Sequence, residues 1–264
     1  MHVQVFDQYH FSQSRIHKLD PRVKVLVTVT YILSNAILPD GSWPAFALAW
    51  LVLLFANDQS NLGLGFTFKR SFVALPFVLV AVSAIFSPLG EPLAEWNLGF
   101  FTLIPTDFGL IRFLSILVRS WLSVQMAILL VATTQFPDLI HSFEHLRVPR
   151  VLTTIIAFLY RYLFILTNEI FRLLRARNSR SAGLPGVKQG GSILWRAKVA
   201  GSMAGQLFLR SYERSDRIYN AMISRGYTGH LRTLNPHIMS RLDWFILTIS
   251  FFILILIQLV GWIR

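Results

Sequence analysis

His141, Glu144 and His145 spell H-x-x-E-H, which on a helix sets two imidazoles about one turn apart with a carboxylate beside them. That pattern is a zinc hydrolase motif, two nitrogen ligands and a general base. A catalytic zinc needs a third protein ligand, and no spacing elsewhere supplies one. The apolar residues around the motif, Leu139, Ile140, Phe143 and Leu146, instead form the stripe of a short interfacial helix bounded by Pro137 and Pro149. Short motifs recur by chance, so no metal site is expected. His2, His10 and His17 read as surface residues. The chain has no cysteine, which excludes disulfide scaffolds, Cys-based zinc sites, iron–sulfur clusters and thiol catalysis. The run LPGVKQGG (184–191) never completes GxxxxGK[ST], no GxSxG occurs, and no carboxylate pair shares an apolar helix. Any energy from nucleotide hydrolysis must come from another polypeptide.

The other chemistry on offer is recognition by arginine. Between Phe171 and Arg241 stand thirteen Arg and Lys residues against two acids, Glu213 and Asp216, so this segment carries nearly the whole formal charge of +12. An arginine at a helix end offers up to five donors in a planar fork, suited to carboxylates or carbonyls of a partner groove. If such a pair is desolvated, removing the arginine strands a buried acid at about 3–5 kcal/mol. Nucleic acid is the rival partner for so basic a chain. However, the basic residues are interleaved with Leu, Ile, Met and Ala at helical spacing and carry no zinc-finger or RRM signature, so no nucleic-acid partner is expected.

The elements that must position these groups belong to a membrane protein. Of 264 residues 54% are hydrophobic and only 14% charged, against roughly 25% in soluble domains. The N-terminal stretch to Lys24 is too polar for a signal peptide. Apolar segments run over Val23–Leu38, Trp43–Ala56, Phe72–Phe86, Phe108–Ala132, Val151–Ile170 and Trp244–Trp262. The first three fall short of the roughly 20 residues of a straight crossing, so six is an upper estimate. The basic block is expected in the cytoplasm by the positive-inside rule. Arg15, Lys18, Arg22 and Lys24 place the N-terminus there too, and five full crossings would then put Phe171 outside. One of the five therefore does not cross, either Trp43–Ala56 or Val151–Ile170, which contains Arg161. The loop Ser87–Thr106, with acids and no Lys or Arg, suits the outside. Arg112, Arg119 and Arg161 fall in or near apolar segments, where a central Arg is disfavoured by about 2.5–3.5 kcal/mol, so they are expected to snorkel or pair.

Two helices are expected in the basic block. One continues from the fifth apolar segment through Asn168 to Arg180; the other runs from about Ser192 to Arg225 and stops at Gly226, suited to the left-handed position past a helix end. On the second, Phe208, Tyr212, Ser215, Tyr219 and Met222 make a stripe expected to pack, with Arg210, Arg214 and Arg217 on the opposite side. Glu213 precedes Arg217 by four residues, the favourable order for an ion pair. Gly201 and Gly205 form a GxxxG spacing, read as tight helix packing within the subunit.

LDPRVK (Leu19–Lys24), TTQFPDLIHSFEHLRVPR (Thr133–Arg150) and above all LFLRSYERSDRIYNAMISRGYTG (Leu207–Gly229) resemble the transmembrane T component of energy-coupling factor transporters, closest to the cobalt-type CbiQ family. The resemblance covers nearly the whole chain and implies a non-catalytic scaffold. Its partners would be the lipid bilayer, two ATP-binding cassette subunits and a membrane-embedded substrate-capture subunit. It implies no cofactor on this chain, with ATP and Mg on the partner ATPases. In this family two short motifs, typically Ala-Arg-Gly, end two cytoplasmic coupling helices and dock into grooves on the ATPases. Carried over, they fall on Ser179, Arg180 and Ser181 and on Ser224, Arg225 and Gly226. Both central arginines match, while Ser replaces Ala twice and Gly once. Arg210, Glu213, Arg214 and Arg217 would support the second coupling helix.

The expected fold is all-α, a polytopic membrane bundle with two cytoplasmic coupling helices. Residues 1–170 form its N-terminal part, 171–241 the coupling region and 242–264 a last transmembrane helix. The expected function is the scaffold subunit of a transition-metal importer, with cobalt as cargo, in the plasma membrane. A nickel or vitamin transporter subunit, a zinc hydrolase built on residues 141–145, and a stand-alone channel are the alternatives.

Overall fold

A computed structural model describes residues 9–74, 76, 81–86, 96–97, 102–103, 106–180, 192–229 and 239–263. It is all-α apart from one two-residue antiparallel pairing, Trp96–Asn97 with Thr102–Leu103. The helices are α1 Pro21–Ile37, α2 Trp43–Gln59, α3 Leu64–Ser71, α4 Asp107–Thr133, α5 Phe136–His145, α6 Arg150–Arg180, α7 Ile193–Ser224 and α8 Arg241–Trp262. They fall into two units, Met1–Leu146 with Asn235–Arg264, and Arg147–Leu234.

The first unit is a bundle of α1, α2, α4 and α8 with α3 and α5 against it. Its helix starts are encoded locally. Asp20 caps α1 by accepting from Arg22 N at 2.8 Å, and Pro21 at the first position loses no needed donor. Ser240 and Asp243 cap each other's backbone at the start of α8, a reciprocal capping box. The core joins Tyr31 and Leu38 of α1 and its end, Ala45, Phe46, Ala49 and Leu53 of α2, Leu122, Met126 and Leu129 of α4, and Leu254 and Ile257 of α8. Ala45 and Ala49 let the helices approach, and the Tyr31 hydroxyl donates to the Ala49 carbonyl at 3.0 Å. Gly109 and Gly261 serve the same end: a Cβ on Gly109 would stand 2.3 Å from the Ile85 carbonyl oxygen.

Outward faces of the same helices remain apolar and exposed, including Leu33, Leu51, Phe55, Phe252 and Ile255. Water would disfavour so much exposed apolar surface, and lipid does not. α4, α6 and α8 are each long and apolar enough to cross a bilayer.

Polar contacts fix the helix directions. Lys24, near the start of α1, donates to the Thr133 carbonyl at the end of α4 at 3.0 Å, and Asn35, near the end of α1, donates to the Arg119 carbonyl at 3.2 Å. α4 is therefore antiparallel to α1. Asp20 N donates to Asp243 at 3.2 Å and Gln258 donates to Ser34 Oγ at 2.9 Å, so α8 runs parallel to α1. The end of α4 and the start of α8 thus lie at one end of the bundle.

The structure refines three expectations. The described parts of the apolar segment Phe72–Phe86 include two 3-10 turns, Phe72–Ala74 and Val82–Phe86. The interfacial helix ends at His145 instead of running to Pro149, because Arg147 takes a positive φ of 66°. On it Ile140 is buried, while Phe143 and Leu146 stay exposed. Arg119 pairs with Asp40 at 2.8 Å, and Arg112 lies 4.0 Å from the same carboxylate. Pairing thus accounts for both arginines, through an acid in the α1–α2 turn that hydropathy alone did not single out.

Candidate functional site

The second unit holds the arginine-rich helices. α6 is one continuous helix of 31 residues whose last turn carries Arg177 and Arg180, cations at the negative end of the helix dipole. Ser179 folds its hydroxyl onto the Arg175 carbonyl at 3.0 Å, so it presents no free donor outward. Arg180 is the exposed final residue and makes no ion pair among the described residues. Ser181 lies outside the described residues.

α7 begins at Ser192, which accepts from Trp195 N at 3.3 Å. Its end is locked. Gly226 N donates to the Ile223 carbonyl at 2.9 Å and Tyr227 N to the Met222 carbonyl at 3.0 Å, the paired bonds of a Schellman motif. That motif needs a left-handed residue, and Gly226 has φ +79° with nothing within 4 Å of a would-be Cβ. Ser224 turns its hydroxyl back to the Asn220 carbonyl at 2.9 Å. Arg225, the cap residue between them, is exposed and free of ion pairs among the described residues. Its backbone is fixed while its fork is free, a geometry suited to docking in a partner groove.

The two helices pack on each other through a face that the sequence reading misplaced. The more covered residues of α7 are Leu207, Ser211, Arg214, Ile218 and Met222, whereas Phe208, Tyr212 and Tyr219 are 69%, 67% and 54% exposed. Of the expected stripe only Met222 is substantially covered. The two stripes share helical spacing and differ by one position, about 100° around the helix, and because the covered one includes Ser211 and Arg214, apolar periodicity pointed to the other. Ser211, Arg214, Ile218 and Met222 of that face, with Ser215 and Tyr219 beside them, line an open groove of about 440 Å³ with Phe158, Tyr162, Ile165 and Leu166 of α6 and Tyr227.

Arg210 does not point away from the partner helix. Its guanidinium donates to Glu169 of α6, and Arg172 approaches the other oxygen of Glu169 at 3.7 Å. Sequence reasoning passed over Glu169 because it falls just before the basic block, yet it is the sole acid of α6, a signal that was available. Glu213 and Arg217 stand 3.9 Å apart, as their spacing predicts, and both are largely exposed, so the pair contributes little. Gly201 and Gly205 have nothing within 4 Å of a Cβ, so the packing expected there does not form among the described residues.

His141 and His145 lie with ring centroids 4.7 Å apart on α5. Among the described residues no three of His, Asp and Glu gather as a metal site.

A family model described as cobalt transport protein, CbiQ, matches residues 12–238. An uncharacterized protein of Methanocaldococcus jannaschii is 28% identical, the match covering 86% of this chain and 76% of that protein. The energy-coupling factor transporter transmembrane protein EcfT of Lacticaseibacillus paracasei is 29% identical over 90% of each chain. EcfT of Thermanaerovibrio acidaminovorans is 31% identical over 84% of this chain and 82% of its own length. The named relatives are transmembrane components of transporters, not catalysts, in keeping with the non-catalytic reading of the sequence. With the family model spanning most of its length, the chain belongs to the cobalt transport protein family CbiQ, a family of membrane components of energy-coupling factor transporters.

Proposed function

We propose that this chain is the plasma-membrane scaffold of an energy-coupling factor importer for a transition-metal ion, with cobalt as cargo. It grips two ATP-binding cassette subunits through Arg180 and Arg225 and passes their closure to a substrate-capture subunit. It binds no cofactor itself; ATP and Mg²⁺ sit on the ATPases, and the cargo is selected by the capture subunit. The observation that carries this reading is Arg225, whose backbone a Schellman cap fixes while its guanidinium stays exposed. Such a rigidly mounted fork loses little entropy on docking.

Chain direction supports a cytoplasmic site. α4 ends and α8 begins at one end of the bundle, the end that carries Arg15, Lys18 and Arg22. The segment between them leaves and returns on one side, so it makes an even number of crossings. Among the described residues between them only α6 is long and apolar enough to span, and one span alone would break that even count, which favours Val151–Ile170 as the segment that does not cross. The positive-inside rule then puts this end, and the basic block with it, in the cytoplasm.

The test is the double variant Arg180→Ala/Arg225→Ala in cells that supply the partner subunits. Cobalt uptake and co-purification of the ATPases should be lost, while the purified chain keeps its helicity. Undiminished uptake by a well-expressed double variant sinks the reading.

A further inference from the structure

A groove in the first unit has no part in the coupling reading. It holds about 840 Å³ and runs along α8 past Leu242, Phe245, Ile249 and Ile253, walled opposite by α1, α2 and α4. It is not a sealed core void: Phe55, Leu242 and Phe245 on its walls are 69%, 60% and 64% exposed. From Leu242 to Leu254 the helix rises about 18 Å at about 1.5 Å per residue, close to the roughly 15 Å depth of one leaflet's hydrocarbon. At one end only, the lining turns cationic, with Arg15 and Lys18 in the turn before α1.

The charges at that mouth are not equivalent. Lys24 is committed, donating to the His17 carbonyl at 3.1 Å and the Thr133 carbonyl at 3.0 Å. Asp243 is also satisfied: its carboxylate accepts from Ser240 N at 2.9 Å, Ser240 Oγ at 2.7 Å and Asp20 N at 3.2 Å. Arg15 and Lys18 make no ion pair among the described residues and are exposed. The mouth therefore offers two uncommitted cations above an apolar trough one leaflet deep.

We propose that this groove binds one anionic phospholipid, its headgroup on Arg15 and Lys18 and an acyl chain along Phe245 and Ile249 of α8. A free anion would gain nothing from the trough. A zwitterionic lipid would gain less from the mouth, since basic side chains near a membrane surface favour anionic headgroups. Placing the lipid in the inner leaflet rests on the orientation proposed above. The choice of headgroup and chain does not, and the test uses neither an ATPase nor Arg180 and Arg225.

The full chain is reconstituted in nanodiscs of matched-chain phosphatidylglycerol and phosphatidylcholine, extracted in mild detergent, and its retained lipid counted by native mass spectrometry. Phosphatidylglycerol should be retained over phosphatidylcholine by roughly thirtyfold, the effect of two basic side chains. Arg15→Gln/Lys18→Gln should reduce that preference to about threefold or less, whereas Arg15→Lys/Lys18→Arg, with the same thermal melting, keeps it. Ile249→Trp should lower retention of both lipids. In the cysteine-free chain Ile249→Cys carries a single photoactivatable label, and a phospholipid adduct is expected. Equal retention of the two lipids overturns the proposal, as does a glutamine double variant that keeps its preference. Displacement of bound lipid by glycerol phosphate, or a label that crosslinks to another protein chain, overturns it as well.

Discussion

Arg210 reaches across the hairpin from α7 to donate to Glu169 of α6, and the carboxylate it meets is only 9% exposed. A charge-assisted bond to a nearly buried acid ties the two long helices together.

Removing either partner should therefore loosen the hairpin unequally. Arg210→Ala leaves Glu169 with the more distant Arg172 and the field of Arg214, whereas Glu169→Gln still accepts a hydrogen bond from Arg210. Hydrogen exchange in α7 should rise more for Arg210→Ala than for Glu169→Gln, and the double variant should fall short of their sum. Strictly additive exchange would refute the coupling.

Gly226 and Gly109 are both required, for different reasons. At Gly226 the cost of a side chain is conformational alone, because the space is open, so Gly226→Ala should destabilise the end of α7 by about 1–2 kcal/mol and Gly226→Asn by less. At Gly109 the backbone angle is ordinary but a Cβ would press on the Ile85 carbonyl, so Gly109→Ala and Gly109→Asn should both cost about 1–3 kcal/mol. Thermal melting of the four variants checks this; an Asn rescue at Gly109 would contradict it.

His17 gives the N-terminal segment a dependence on pH. Its imidazole is held below the usual histidine value by burial, against the opposing hydrogen bond to the His10 carbonyl and with help from Lys24. Nε2–H donates to that carbonyl at 2.9 Å and Nδ1 lies 2.6 Å from the Ser14 hydroxyl, which can donate to the neutral ring or accept from the cation, so burial and not a lost hydrogen bond disfavours the charged form. Because the folded value lies below the unfolded one, this stability is present above about pH 6.5 and is lost as pH falls through the folded value. Melting temperature should drop between about pH 7 and about pH 5 in the native chain and less in His17→Gln. Parallel pH profiles for the two proteins would disprove the assignment.

Much of this molecule could be read locally. Membrane residence followed from composition. The two basic helices, their ends at Arg180 and Arg225, the role of Gly226 and the Glu213–Arg217 pair followed from propensity, capping and spacing, all settled within a few residues of chain. Those signals survive in sequence because each is a contact between near neighbours.

What sequence left open depended on partners far along the chain. Apolar periodicity pointed to the wrong stripe on α7; α6 decided the matter by covering Leu207 and Ile218, with Ser211 and Arg214 between them, and leaving Phe208 and Tyr212 in the open. Hydropathy could not give helix direction, which Lys24 and Thr133 fix across 109 residues. Arg119 needed Asp40, and Arg210 needed Glu169. A helix face or a charge has no partner until the chain has folded back on itself, so the tertiary structure alone could decide these.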